Sequence, residues 1–174
     1  RSLADSGRLE FSFSEKRWRW DIQALQDLNI TDNVVEFLET KTQLLPPMVL
    51  SCLRSAACIG SIFELSILAN SSESKQLDTL EQLEAACASE YIVKIGRDAF
   101  KFSHDKIREV FYEQIPAHEK KRAHLRLGKL ILQNSGEAID ASIFSIANHW
   151  NTGHEVITSK ADHQQLFQLN MQAA

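Results

Sequence analysis

The 174-residue sequence predicts a mainly α-helical fold carrying one small β-hairpin. Three observations point there. Apolar residues recur at helical spacing from Val34 to Trp150. The period switches to strict alternation over one internal stretch, 91–102. Helix punctuation (Pro46-Pro47, Gly60, Pro116) falls at the ends of the periodic runs. With 44% hydrophobic residues and only six Gly and three Pro, the chain can build a core and is not a linker or a disordered tract.

Leu9, Phe11 and Phe13 alternate with polar residues, as in a short strand. Arg17-Trp18-Arg19-Trp20 sets two indoles on one side, suited to packing on a neighbour with a cation–π or stacking contact from the arginines. Thr31-Asp32-Asn33 offers N-caps for a helix through Val34, Val35, Phe37, Leu38, Leu44 and Leu45 to the Pro46-Pro47 stop. Pro47 opens the next helix, whose stripe Val49, Leu50, Leu53, Ala56, Ala57 ends at Gly60. Phe63–Ala69 reads as one or two further turns, 70–74 as a loop, and 77–88 as an amphipathic helix. Tyr91, Val93 and Ile95, then Phe100 and Phe102, alternate around Gly96-Arg97-Asp98 and form the hairpin. Ser103 is placed to cap a helix through Ile107, Val110, Phe111 and Ile115, which Pro116 ends. Ala123–Gln133 and Ala141–Trp150 are two more amphipathic helices, and 163–174 begins another.

Helix, short helix, loop, helix, hairpin is the order of a winged-helix module, over about 47–103. The helices after it read as the first α-hairpins of a helical solenoid, although no 34-residue repeat is visible.

The formal charge of −4 and pI of about 5.9 argue against a generally nucleic-acid-binding surface. Cys52, Cys58 and Cys87 form no Cys-x-x-Cys pair and read as small buried hydrophobes in a reducing, cytoplasmic setting. No apolar run approaches the roughly 18 residues of a membrane span, so no membrane insertion is expected. Arg1 is not a natural start, and the expectation is a piece of a longer protein.

No catalytic constellation stands out, and the fragment itself is not expected to be an enzyme. The glycines never approach the Gly-x-x-x-x-Gly-Lys-Ser/Thr phosphate loop. His118, His124, His149, His154 and His163 lack metal-ligand spacing and read as polar residues of helix surfaces, with no metal site. In a winged helix, the helix before the hairpin normally enters the major groove; here it carries Asp78, Glu81 and Glu84 and no base from Leu77 to Tyr91. That face would repel DNA and suits protein contact. One position invites a ligand: Phe102-Ser103-His104-Asp105, where strand meets helix N-terminus and an anion would be welcome. A purely structural role remains open there, with Ser103 capping the helix and Asp105 complementing its dipole.

Six segments, in order, resemble one family. They are Arg17–Ile22, Ile30–Val35, Leu45-Pro46-Pro47, Ala56–Phe63, Phe102–Ile107 and His124–Leu130. The family is the AAA-type ATPase module, of the STAND class, found in multi-sensor signalling kinases that also carry kinase-like, GAF and histidine-kinase domains. The resemblance spans essentially the whole chain, through Ile146–Asn151. It implies that 1–46 ends a helical lid, 47–116 is a winged-helix subdomain and 117–174 starts a TPR-like region. It further implies that His104, with Asp105 and Arg108, senses the phosphate of ADP held by a nucleotide-binding core of the same chain. ATP or ADP with Mg would belong to that parent protein, and kinase or sensor domains would be the partners. The alternatives are a protein-interaction scaffold that senses no nucleotide and, less favoured, a DNA-binding winged-helix regulator.

Overall fold

The computed structural model describes residues 9–12, 16–20, 38–136 and 139–174, of which 9–12, 17–20 and 141 by backbone alone. The chain divides into two compact units, Arg1–Lys41 and Thr42–Ala174. In the first, β1 (Leu9–Ser12) pairs antiparallel with β2 (Arg17–Trp20), Leu9 opposite Trp20 and Phe11 opposite Trp18. The tryptophan segment is therefore itself a strand. The arginine stacking expected of it concerns side chains outside those described, and the caps at Thr31–Asn33 also lie outside the described residues.

The second unit begins as the helix over 38–42 ends. Its α1 (Pro47–Ile59) opens on Pro47 and stops at Gly60, whose φ of 153° is a value that a side chain would strain. Residues 62–64 correct the sequence reading. Ile62–Glu64 is a strand, β3, and only then does α2 (Leu65–Ser71) begin. Next come α3 (Gln76–Ala88), β4 (Ile92–Lys94) and β5 (Ala99–Phe102). The sheet order is β3-β5-β4, all antiparallel, so the expected hairpin is the larger part of a three-stranded sheet.

The pleat explains the core on the inner face. Phe63, Phe100, Phe102 and Ile92 are buried beneath the sheet while Ile62, Val93 and Lys101 face out. Phe63 stacks on Phe100 at 6.1 Å, Phe102 lies 5.6 Å from Phe63, and Phe111 closes the cluster 6.3 Å from Phe102 and 5.4 Å from Tyr91. Such tilted and edge-on aromatic pairs add to plain area burial.

Beyond the sheet come α4 (Asp105–Glu113), α5 (Ala117–Ser135), α6 (Ile139–Thr152), a 3₁₀ turn (His154–Val156) and α7 (Lys160–Gln172). Pro116 both terminates the preceding turn and caps α5, which starts six residues before the apolar pattern announces it. Helix α7 starts early too, because Ser159 caps it by accepting from the Ala161 N–H at 3.2 Å.

Helices α5 and α6 approach closely because Gly128 has no side chain. A Cβ there would stand 2.5 Å from Trp150 Cδ1 and 3.2 Å from His149 Cβ. Trp150 consequently drops into a core with Ile143, Ile146, Ala147, Ile157 and Leu169. A second small cluster, Cys58, Ile115 and Leu127, joins α1 to α5. Burial pushes the Cys52 and Cys58 thiols up to about 12 and 11, as inert packing sulfurs require. Among the described residues no helix is long and apolar enough to cross a membrane.

Candidate functional site

The strand-to-helix turn at 102–108 is built by the sheet. Phe102 is buried as the last residue of β5, so the chain must leave the sheet edge at Ser103 and turn into α4. Ser103 does not cap that helix. Its hydroxyl donates to the Glu90 carbonyl at 2.7 Å and its N–H bonds the Tyr91 carbonyl, tying the turn to the start of β4. The N-cap position falls to His104, in extended backbone (φ −146°, ψ 147°), and no side chain caps the first turn. The Asp105 and Lys106 N–H groups of that turn have no hydrogen bond among the described residues and stand at the positive end of the helix dipole.

The three residues singled out by sequence part ways here. His104 is exposed, and its imidazole has no hydrogen bond or ion pair among the described residues. Asp105 is exposed but engaged, its Oδ1 accepting from Ser61 Oγ at 3.0 Å, a bond that ties α4 to the entry of β3. Arg108 is engaged elsewhere. Its Nη1 donates to the Ala57 carbonyl near the end of α1 at 2.9 Å, and its guanidinium lies 5.8 Å from the Tyr112 ring centre. Arg108 is thus a tether between helices, and His104 is the residue that this geometry leaves available.

Two histidines expected on helix surfaces are in fact buried, and this reverses the sequence reading. His124 is 6% exposed and His149 is 4% exposed. Their Nδ1 atoms meet at 2.8 Å, and His124 Nε2 lies 2.9 Å from the Tyr112 hydroxyl. A neutral imidazole offers one donor and one acceptor, so the chain Tyr112–His124–His149 runs in either of two directions with every contact satisfied. Burial, followed by the facing His124, brings the His149 pKa down to about 4. Burial, then the Arg108 and Lys120 cations, lowers that of His124 as well. The missed signal is helical spacing, for His124, Leu127, Gly128 and Ile131 fall on one face of α5.

On α3, Asp78, Glu81 and Glu84 are all exposed, while Thr79, Leu83 and Ala86 turn inward. Leu77, in the first turn of α3, is 75% exposed. Among the described residues no group of three or more His, Cys, Asp and Glu side chains could hold a metal.

The chain is similar to a hybrid signal transduction histidine kinase G from Dictyostelium discoideum. The two are 24% identical over an alignment of 226 residues that covers 99% of this chain. The chain spans 7% of the length of that relative. No family model matches, and no solved structure matches.

Proposed function

We propose that the chain is a winged-helix and helical-hairpin module of a multidomain signalling kinase, and that His104 reports the nucleotide held by an ATPase core elsewhere in the same polypeptide. The observation that carries this reading is the exposed, unpartnered His104 imidazole at an uncapped helix start. The order helix, strand, helix, helix, strand, strand around a β3-β5-β4 sheet supports the winged-helix assignment. Similarity to a short stretch of a very long signalling kinase supports the placement among other domains. ADP, when bound by the core, supplies a phosphate oxygen as acceptor. His104 donates to it, while Asp105 and Arg108 hold the helix start against Ser61 and Ala57.

The same helix carries the consequence inward. Arg108 and Tyr112 follow His104 by one and two turns, and Tyr112 leads through His124 to His149 on α6. A shift of α4 at its N-terminus therefore strains a buried hydrogen-bonded chain. Nucleotide biases such a switch only through contacts that differ between its two states. One hydrogen bond to a charged phosphate, about 1.5–3 kcal/mol, corresponds to about ten- to a hundred-fold in population.

His104→Ala in the intact polypeptide is expected to weaken ADP binding by about ten-fold or more and to raise basal kinase output. The readouts are the ADP dissociation rate and autophosphorylation. Unchanged ADP retention would leave a protein-interaction scaffold, a reading favoured by the exposed acidic face of α3 with Leu77 at its edge.

A further inference from the structure

A cleft lies between α1, the C-terminal end of α2 and α5; His104 does not line it, and nothing in the proposed function uses it. Its volume is about 410 Å³. Two helical stripes with the same spacing face each other across it, Ser51, Arg54, Ser55 and Cys58 on α1 and Glu119, Arg122, Ala123 and Arg126 on α5. The spacing i, i+3, i+4, i+7 keeps each stripe on one helix face. The floor is apolar, made by Cys58, Ile115 and Leu127, and the walls carry cations and hydroxyls.

The cations exceed what the protein itself consumes. Arg122 is exposed and has no hydrogen bond or ion pair among the described residues. Arg54 is fixed at one end only, Nη2 donating to Gln114 Oε1 at 3.1 Å, and its Nε is buried without a partner. Arg126 donates to the Ser71 carbonyl at 3.1 Å and lies 3.4 Å from Glu73 at the rim. Three guanidinium groups thus oppose one lining carboxylate, Glu119, which lies 3.7 Å from His118. The hydroxyls of Ser51, Ser55 and Ser72 make no hydrogen bond among the described residues. Guanidinium forks recognise tetrahedral oxyanions through paired N–H donors, and free hydroxyls complete such a shell.

We propose that this cleft binds a small phosphate monoester whose apolar body rests on the Cys58–Leu127 floor. A volume of a few hundred Å³ with an apolar base and few converging polar groups is the usual form of a small-molecule site. The site is independent of His104 and stands or falls apart from nucleotide sensing.

Phenyl phosphate is the probe, titrated into the full chain with amide NMR shifts as the readout. Saturable shifts confined to 51–58, 71–72 and 115–127 are expected, and phenol at the same concentration should give none that saturate. Arg122→Gln is expected to weaken binding about ten-fold, whereas Lys101→Gln, the same charge change on the outer face of the sheet, should leave it within two-fold. Sodium chloride at equal ionic strength producing the same shifts would overturn the proposal. So would equal weakening by the two substitutions, or no saturable shift at millimolar probe.

Discussion

Trp150→Ala is expected to destabilise the unit Thr42–Ala174 by about 3–5 kcal/mol, the usual cost of emptying a buried aromatic site. Trp150 is 2% exposed and fills the space that Gly128 leaves open on α5, with Ile143, Ile146, Ala147, Ile157 and Leu169 around it. Neither helix can collapse into the gap, because α6 also holds His149 against His124. Trp150→Phe should cost far less. It keeps a ring against Gly128 and removes the indole Nε1, a buried donor with no hydrogen-bond partner, whose desolvation costs about 1–3 kcal/mol. Urea denaturation of the three proteins separates the cases. Similar midpoints for wild type and Trp150→Ala would mean that this junction is not packed as described.

Stability should also fall by about 2 kcal/mol between pH 7 and pH 5 through His149 alone, with His124 adding in the same direction. The sign follows from the unfolded state. There, both imidazoles take up protons near pH 6.5, whereas in the fold His149 resists protonation down to about 4. The unfolded chain therefore binds more protons throughout that interval, and stability is complete above about 6.5 and lost as pH falls toward 4. The groups facing the pair act together. Arg108 and Lys120 disfavour a further positive charge on His124, and the Tyr112 hydroxyl meets its Nε2. Lys120 itself stands 4.4 Å from the centre of the Tyr112 ring and is paired with Glu113 at 2.8 Å. Urea midpoints measured at half-unit pH steps would show the slope, and His149→Gln should flatten it.

The period of the hydrophobic pattern carried most of the fold. Helix α1, the turn at Gly60, helix α3 and the β4–β5 pair stand where periodicity and punctuation put them. What stayed hidden was too short or too polar to register. Strand β3 has three residues with one buried, fewer than a period of two needs to be distinguished from a helical turn. The first two turns of α5 read His118-Glu119-Lys120-Lys121-Arg122, side chains that leave no apolar stripe. His124 and His149 look polar by residue type, and only partners on other elements make their burial tolerable. The candidate site was legible as a position, the strand-to-helix turn, but not as a division of labour. Sequence cannot show that Ser103 reaches back to Glu90, that Arg108 is spent on Ala57, or that His104 alone stays open, because each depends on where α1 and β4 come to rest.

Nucleotide sensing of the proposed kind requires contact between the 103–108 turn and bound ADP, which hydrogen exchange of that turn in the intact polypeptide measures. With ADP bound, the amides of His104–Arg108 should exchange at least ten-fold more slowly than in the nucleotide-free protein, with smaller protection at His124 and His149. Identical exchange of this turn with and without ADP would rule out nucleotide sensing by His104.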